Sequence, residues 1–278
     1  MIGNALILAA GKGTRMKTEL PKTLFPILKK PMIEYILDEI EKTSIQNTYL
    51  VVGHKKELLE ARLGKRVEYA YQEEQLGTAH AVMQAESVLG NRQGATLILP
   101  GDMPLIDQAT LNSIIESHTA KENDITLVTT HYDNPTGYGR ILRDSNGFIT
   151  GIIEELSATP EQKEITEVNT GIYVVDNTLL FRYLKDIEKD AKKGEYYLTD
   201  IVSVFVSKGH TINSYTIHDN SIVMGVNDLV AIAEAEKYFR GKINKMHMLN
   251  GISLINPETI TIGHEVKIKS GVTIYPNT

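Results

Sequence analysis

Apolar residues along this chain follow two alternating rhythms. Short continuous runs at 2–10, 48–52, 67–71, 96–99 and 125–130 read as strands covered on both faces. Between them the spacing lengthens. Behind Pro31, residues Met32, Ile33, Ile36, Leu37 and Ile40 recur every three or four positions, which predicts a helix with one apolar face. A second helix is expected at 57–63. Thr78 is expected to cap a third running to about residue 85, and Asp107 a fourth running through residue 115. Strands alternating with helices predict an α/β fold, Rossmann-like, with a mainly parallel mixed sheet flanked by helices.

The rhythm changes after residue 130. The segment Asn134-Pro-Thr-Gly-Tyr-Gly-Arg140 is rich in turn formers, and Asp144-Ser-Asn-Gly147 between two short apolar runs predicts a hairpin. Strands are expected at 168–175 and 212–217, and helices at 179–185, 199–207 and 228–246. No Pro- or Ser-rich linker separates the halves, so the second reads as an elaboration of the first sheet. The tail differs in kind. Leu254, Ile260, Val266 and Val272 recur at six-residue intervals, and Ile262, Ile268 and Ile274 follow the last three at plus two. A hexapeptide aliphatic period predicts coils of a parallel β-helix, each side of which turns one residue inward; ordinary alternating strands are the weaker alternative. The expected organisation is a main domain at 1–228, a linking helix at 229–250 and the start of a β-helix at 251–278.

Composition narrows the function. With 29 Lys+Arg against 35 Asp+Glu the formal charge is −6, a poor match to nucleic-acid binding, which needs a basic footprint. Cysteine is absent, which excludes disulfides, thiolate metal sites and a thiol nucleophile. No run approaches the roughly 18 apolar residues of a membrane span, and the apolar residues 5–10 are too few for a signal sequence. A soluble cytoplasmic protein is the expectation.

The candidate chemistry clusters at strand ends. Leu8-Ala-Ala-Gly-Lys-Gly-Thr-Arg15 follows the first strand, and Lys12, Arg15, Lys17 and Lys22 place four cations close together. Small residues let a backbone approach a ligand, its N–H groups can cradle phosphate, and the cations neutralise it. The spacing fits neither a P-loop nor the three-glycine dinucleotide fingerprint, and a plain βα turn with a solvated basic face is the alternative. Asp102, after Pro100-Gly101 at a strand end, is placed to hold Mg²⁺, a hard cation suited to carboxylate and phosphate oxygens; a turn-forming Asp is an equal alternative. In Gln72-Glu-Glu-Gln-Leu-Gly-Thr78-Ala-His80, the Gln72 amide offers a donor and an acceptor to a base edge, and Gly77 permits close approach. His80 reads as structural, since the eight histidines form no ligand pattern. Gly137-Tyr-Gly139-Arg, Glu154, Asn169-Thr-Gly171 and Glu195-Tyr-Tyr-Leu-Thr199 supply polar groups of the kind a sugar needs, although turns favour such residues too.

Together these segments resemble the uridylyltransferase half of the bacterial bifunctional N-acetylglucosamine-1-phosphate uridylyltransferase/glucosamine-1-phosphate acetyltransferase family. The resemblance rests on LAAGKGTRM at 8–16, LPK at 20–22, QEEQLGTAHA at 72–81, GDMPL at 101–105, NPTGYGRI at 134–141, VNTGIY at 168–173, GEYYLTD at 194–200 and GVN at 225–227. It implies a nucleotidyltransferase fold followed by a left-handed β-helix. It also implies Mg²⁺-dependent uridylyl transfer from UTP to N-acetylglucosamine-1-phosphate for cell-wall precursor synthesis. Leu8, Ala9, Ala10, Gly11 and Gly13 would meet the nucleotide. Arg15 and Lys22 would neutralise phosphates as catalytic groups with Asp102. Gln72, Gly77 and Thr78 would recognise uracil. Gly139, Glu154, Asn169 and Thr199 would contact the sugar, and Asp102 with Asn227 would hold Mg²⁺. Asn227 comes from the resemblance alone; by itself it reads as the turn before a helix starting at Asp228.

Pro100 and the stretch Glu155-Leu156-Ser157 depart from the family pattern. The acetyltransferase site is not expected in this chain. The alternatives are a glucose-1-phosphate uridylyl- or thymidylyltransferase, or a nucleotide-sugar binding protein without turnover. A hexapeptide-repeat acyltransferase is disfavoured by the short tail. A homo-oligomer is left open.

Overall fold

The computed structural model describes residues 2–191 and 193–278. β1 (Ile2–Leu8) leads into a loop with 3-10 turns at Thr14–Met16 and Lys22–Leu24. β2 (Pro26–Ile27) and β3 (Lys30–Pro31) make a two-rung antiparallel hairpin. α1 (Met32–Ile40) begins directly after Pro31, as its apolar spacing predicts. β4 (Asn47–Val52), α2 (Lys56–Leu63), β5 (Glu68–Tyr71), α3 (Thr78–Met83), α4 (Glu86–Leu89), β6 (Ala95–Pro100), α5 (Gln108–Ala120) and β7 (Ile125–His131) complete the alternating half. Asp107 caps α5 as expected, its carboxylate accepting from Thr110 N–H at 2.9 Å.

The second half begins with β8 (Arg140–Arg143) and β9 (Ile149–Ile153), the hairpin foreseen around Asp144, whose carboxylate accepts from the N–H groups of Asn146 and Phe148. α6 (Pro160–Lys163), β10 (Glu167–Asp176), α7 (Asn177–Tyr183), α8 (Asp200–Ser207) and β11 (Ile212–Ile217) follow. α9 (Leu229–Leu249) leads to β12 (Ser253–Leu254) and β13 (Thr273–Ile274).

One sheet runs through both halves, in the order β11-β7-β10-β6-β1-β4-β5, with β8 and β9 joined to it through β10. Along this row β10 alone is antiparallel to its neighbours, β6 and β7. Alternate residues of the central strands feed two cores. Ala5 and Ile7, Leu50 and Val52, and Leu97 and Leu99 pack on one face. Leu6, Tyr49, Val51 and Ile98 pack on the other. Burial on both faces explains why these strands read as unbroken apolar runs.

A third core joins the C-terminal part to the first half. Ile232, Ala235, Phe239 and Ile243 of α9 pack with Met32, Tyr35 and Ile27. The Tyr35 and Phe239 rings stack with centroids 4.1 Å apart. β12 pairs in parallel with β13, Leu254 opposite Ile274, as successive coils of a β-helix would. The inward positions are only partly those expected. Leu254 and Ile260 are buried, with Ile262, but Val266 and Val272 are 48% and 40% exposed. Ile268 and Ile274 lean on the α9 core instead, and no further layer of described residues lies over the two valines.

Thr78 corrects another expectation. Gly77 occupies the cap position of α3, and the Thr78 hydroxyl accepts from Leu198 N–H at 2.9 Å. A segment 120 positions away takes the hydroxyl that local sequence would have given to the helix. Among the described residues no helix is long and apolar enough to cross a membrane.

Candidate active site

The chain leaves β1 toward β4 and β5 on one side and later returns to β6 on the other, so the order reverses at β1. Beyond the carboxyl ends of strands at such a point lies a crevice, the usual ligand site of open α/β sheets. Here it is a cleft of about 490 Å³. Leu8, Ala9, Ala10 and Gly11 form its floor with Lys22 and Asp102, Gln72, Gly77 and Thr78 line one end, and Glu154, Asn169 and Thr199 line the other.

The floor around Lys22 and Asp102 is tied together by backbone contacts. Ala9 N–H continues the β1–β4 ladder to Val51 O at 2.9 Å, and Gly101 N–H donates to Leu8 O at 2.9 Å. The second bond brings Asp102 against the Gly-rich loop. Gly13 has φ 60°, and a Cβ there would stand 2.7 Å from the Lys22 Cβ, so only glycine lets the loop close over Lys22. Lys22 Nζ reaches Asp102 Oδ2 at 2.5 Å and Asn227 Oδ1 at 2.9 Å. Arg15 donates to the same Asn227 oxygen at 2.8 Å. Asn227 is held from behind: its Nδ2 donates to Gly225 O, and Val226 N–H donates to Asp102 O. Asp228 caps α9, accepting from Val230 and Ala231 N–H, so the turn before that helix sets Asn227 against Lys22, which lines the cleft.

Asp102 and Asn227 thus direct hard oxygens at one point where a cation already sits, the Lys22 ammonium. That donor set fits Mg²⁺, which binds through one or two carboxylates with the remaining positions left to water and substrate phosphate. Among the described residues no three His, Cys, Asp or Glu side chains form a closed metal cage.

At the opposite end, Gln72 is 3% exposed, and its Nε2 donates to Gly77 O at 3.0 Å. Gly77 has φ 102°. A Cβ there would come within 2.5 Å of Tyr196 O, because Tyr196 N–H donates to Leu76 O and Tyr196 O accepts from Ala79 N–H. The base loop and the segment 194–199 are therefore one unit.

The Glu154 end gathers four separate segments. Asn169 N–H donates to Gly139 O at 2.8 Å, and Thr199 Oγ1 donates to Glu154 Oε1 at 2.9 Å. A Cβ on Gly139 would lie 2.9 Å from Ile152 Cγ2 and 3.7 Å from Glu154 Oε1. Tyr173, fully buried and not singled out from sequence, accepts at its hydroxyl from Asn169 Nδ2 at 2.7 Å. Burial holds that hydroxyl protonated. Its signal was Gly171 within a strand: the register slips between Asn169 and Tyr173, and this break turns both side chains to the cleft.

An ion pair with a buried guanidinium and a partly exposed carboxylate, also missed, supports this end. Arg140, 1% exposed, donates to Glu155 Oε2 at 2.7 Å and to Tyr138 O. The Arg140 hydrogen bond, aided by Gly137 N–H, holds the Glu155 carboxyl below the usual carboxylate range.

A profile of the family described as nucleotidyl transferase matches residues 4–229. Among curated proteins, the bifunctional protein GlmU of Acholeplasma laidlawii (strain PG-8A) is 56% identical over 274 residues, covering 99% of this chain and 59% of the relative. The bifunctional protein GlmU of Enterococcus faecalis is 44% identical over 280 residues, with coverages of 99% and 61%. The chain therefore spans about three fifths of the length of these relatives. In fold it is similar to a UDP-glucose pyrophosphorylase solved with UDP-glucose, TM-score 0.69 at 20% identity, covering 87% of this chain and all of that one. The apo form of a UDP-glucose pyrophosphorylase gives TM-score 0.71, again at 20% identity and 87% coverage of this chain. With a cleft at the switch point of its sheet and the family profile matching through to the start of α9, the chain belongs to the nucleotidyl transferase family.

Proposed function

We propose that this chain transfers a uridylyl group from UTP to N-acetylglucosamine-1-phosphate, giving UDP-N-acetylglucosamine and pyrophosphate. The observation that carries this reading is the convergence of Arg15, Lys22, Asp102 and Asn227 on one point of the cleft, between a base end and a sugar end. The strong similarity to GlmU proteins supports the choice of substrates.

A phosphate oxygen of the sugar phosphate attacks the α-phosphorus of UTP in line. The bond from that phosphorus to the bridging oxygen breaks, and pyrophosphate leaves with the electron pair. The attacking oxygen is already anionic, so no protein base is needed. Positioning and charge neutralisation are what the chain supplies. Gln72, Gly77 and Thr78 hold the base. Leu8 to Gly11 and Gly13 present backbone to the phosphates. Lys22 swings from Asp102 to the phosphates of UTP, and Arg15 stabilises charge on the transferred and leaving groups. Gly139, Glu154, Asn169 and Thr199 seat the acetamido sugar. Asp102 and Asn227 would hold Mg²⁺, which when bound supplies Lewis-acid charge and a template for the phosphates. Residues 1–228 carry this chemistry, 229–250 link and 251–278 begin a β-helix. A cytoplasmic location goes with these substrates.

The deciding experiment measures Mg²⁺-dependent pyrophosphate release with UTP and either N-acetylglucosamine-1-phosphate or glucose-1-phosphate, and with dTTP in place of UTP. Release confined to UTP with the acetylated sugar is expected. Release with glucose-1-phosphate instead would keep the chemistry and overturn the substrate. Tight UTP binding by folded protein with no release from any pair would make it a binding protein.

A further inference from the structure

Inside the register break of β10, one buried hydroxyl is left with a proton to give. Gly171 N–H donates to Asn169 Oδ1 at 3.2 Å. A backbone N–H can only donate, so the amide oxygen of Asn169 lies on that side and its nitrogen on the other. The nitrogen stands 2.7 Å from the Tyr173 hydroxyl and has no acceptor capacity, so the hydroxyl accepts there. The phenol proton must then point elsewhere. Burial, with the Glu154 and Asp200 carboxylates nearby, pushes the phenol pKa up, so the proton stays on its oxygen. No described residue accepts it, although Tyr173 is only 2% exposed and lines the cleft. A buried donor without an acceptor is unfavourable, and a ligand oxygen in the cleft would satisfy it.

An acceptor stands across from this donor. A Cβ on Gly139 would lie 3.7 Å from Glu154 Oε1 and 3.8 Å from Asn169 Cβ, so the carboxylate and the Asn169 side chain close on the same stretch of backbone. Thr199 gives its hydroxyl proton to Glu154 Oε1, and Oε2 takes no hydrogen bond from any described residue. One wall therefore accepts and the other donates. The complement is a secondary amide, whose trans form points C=O and N–H to opposite sides. An ammonium in the same place gives the carboxylate a donor and leaves the Tyr173 proton facing another donor. We infer that the Tyr173 hydroxyl is a specificity contact, donating to the carbonyl of an acetamido substituent and so selecting an N-acylated amino sugar over a free amino sugar. The inference deepens the proposed function and rests on its placing of the sugar against Glu154 and Asn169. A sugar hydroxyl accepts the same proton, so no choice between acetamido and hydroxyl sugars is assigned to Tyr173.

The test measures binding of UDP, UDP-N-acetylglucosamine and UDP-glucosamine by calorimetry at pH 7, which makes the result independent of turnover. Tyr173→Phe removes the hydroxyl and keeps the ring in its core. In this variant the Kd for UDP-N-acetylglucosamine rises about tenfold, the worth of one aligned hydrogen bond in a desolvated site, while those for UDP and UDP-glucosamine stay within about twofold of wild type. A folded Tyr173→Phe that binds UDP-N-acetylglucosamine as wild type does overturns the proposal. An equal loss for UDP-glucosamine or for UDP overturns it too, since the hydroxyl would then serve only to hold Asn169. The sugar site beneath the proposal is checked with Glu154→Ala. If that variant loses UDP-N-acetylglucosamine relative to UDP while Tyr173→Phe does not, the role of Tyr173 alone fails. If both variants keep the wild-type ratio, the sugar does not lie at this end, and the reading beneath the proposal fails.

Discussion

At the phosphate end of the cleft, one loop and two strand exits bring Lys22, Asp102 and Arg15 together around Asn227. At the sugar end, Gly139, Glu154, Asn169 and Thr199 come from four segments, and each is held by a contact with another. The first end is charged and its groups neutralise one another until substrate arrives. The second sets the Glu154 carboxylate among neutral hydrogen-bonding groups, with Asp200 nearby and the Arg140–Glu155 pair behind it. Charge neutralisation lowers a barrier, whereas neutral hydrogen bonds mainly choose and seat a ligand. Damage to the two ends is therefore expected to separate into kcat and KM effects.

The sharpest way to break this contrast is Asp102→Ala. It removes a carboxylate that balances Lys22 and would hold Mg²⁺, and turnover is expected to fall by about 10³-fold or more. Near-normal kcat in steady-state assays would remove Asp102 from the chemistry. Gly139→Ala probes the other end. Its Cβ would crowd Ile152 and press on Glu154, so the KM for the sugar phosphate should rise roughly tenfold while the KM for UTP stays near wild type. Equal loss of both would show that the ends are not separable.

The smallest effect concerns pH. The folded pKa of Glu155 lies below its ordinary 4.5, so the Arg140–Glu155 pair contributes fully above that value. The contribution is lost as pH falls through the folded value. Glu155→Gln should therefore be less stable than wild type at pH 7, with the two melting temperatures converging as pH falls through the folded pKa of Glu155. A gap that persists at low pH would assign the loss to packing instead of charge.

The same contrast governs what could be read in advance. The apolar spacing of α1, the capping role of Asp107 and the hairpin at Asp144 are local and were legible. The phosphate loop was legible because its glycines and cations are contiguous. Asn227 was not, because its only local cue is the turn into α9; it matters through Lys22 and Arg15, over 200 positions earlier. Thr78 was misread because Leu198 takes its hydroxyl. His80 was read as structural, and its contact with Gln72 appears only once helix α3 packs beside the end of β5.

The sequence by itself determined which segments are strands and helices, since periodicity records how many faces of each are buried. It also determined that a glycine-rich loop carrying four cations follows β1, since glycine and cation positions are local in the chain. Tertiary structure alone decided the reversed direction of β10 in the sheet, since a strand's apolar pattern reads the same in either direction. It alone decided that Val266 and Val272 stay partly exposed while Ile268 and Ile274 lean on α9, because a six-residue period marks candidate faces and only the neighbouring layer selects between them.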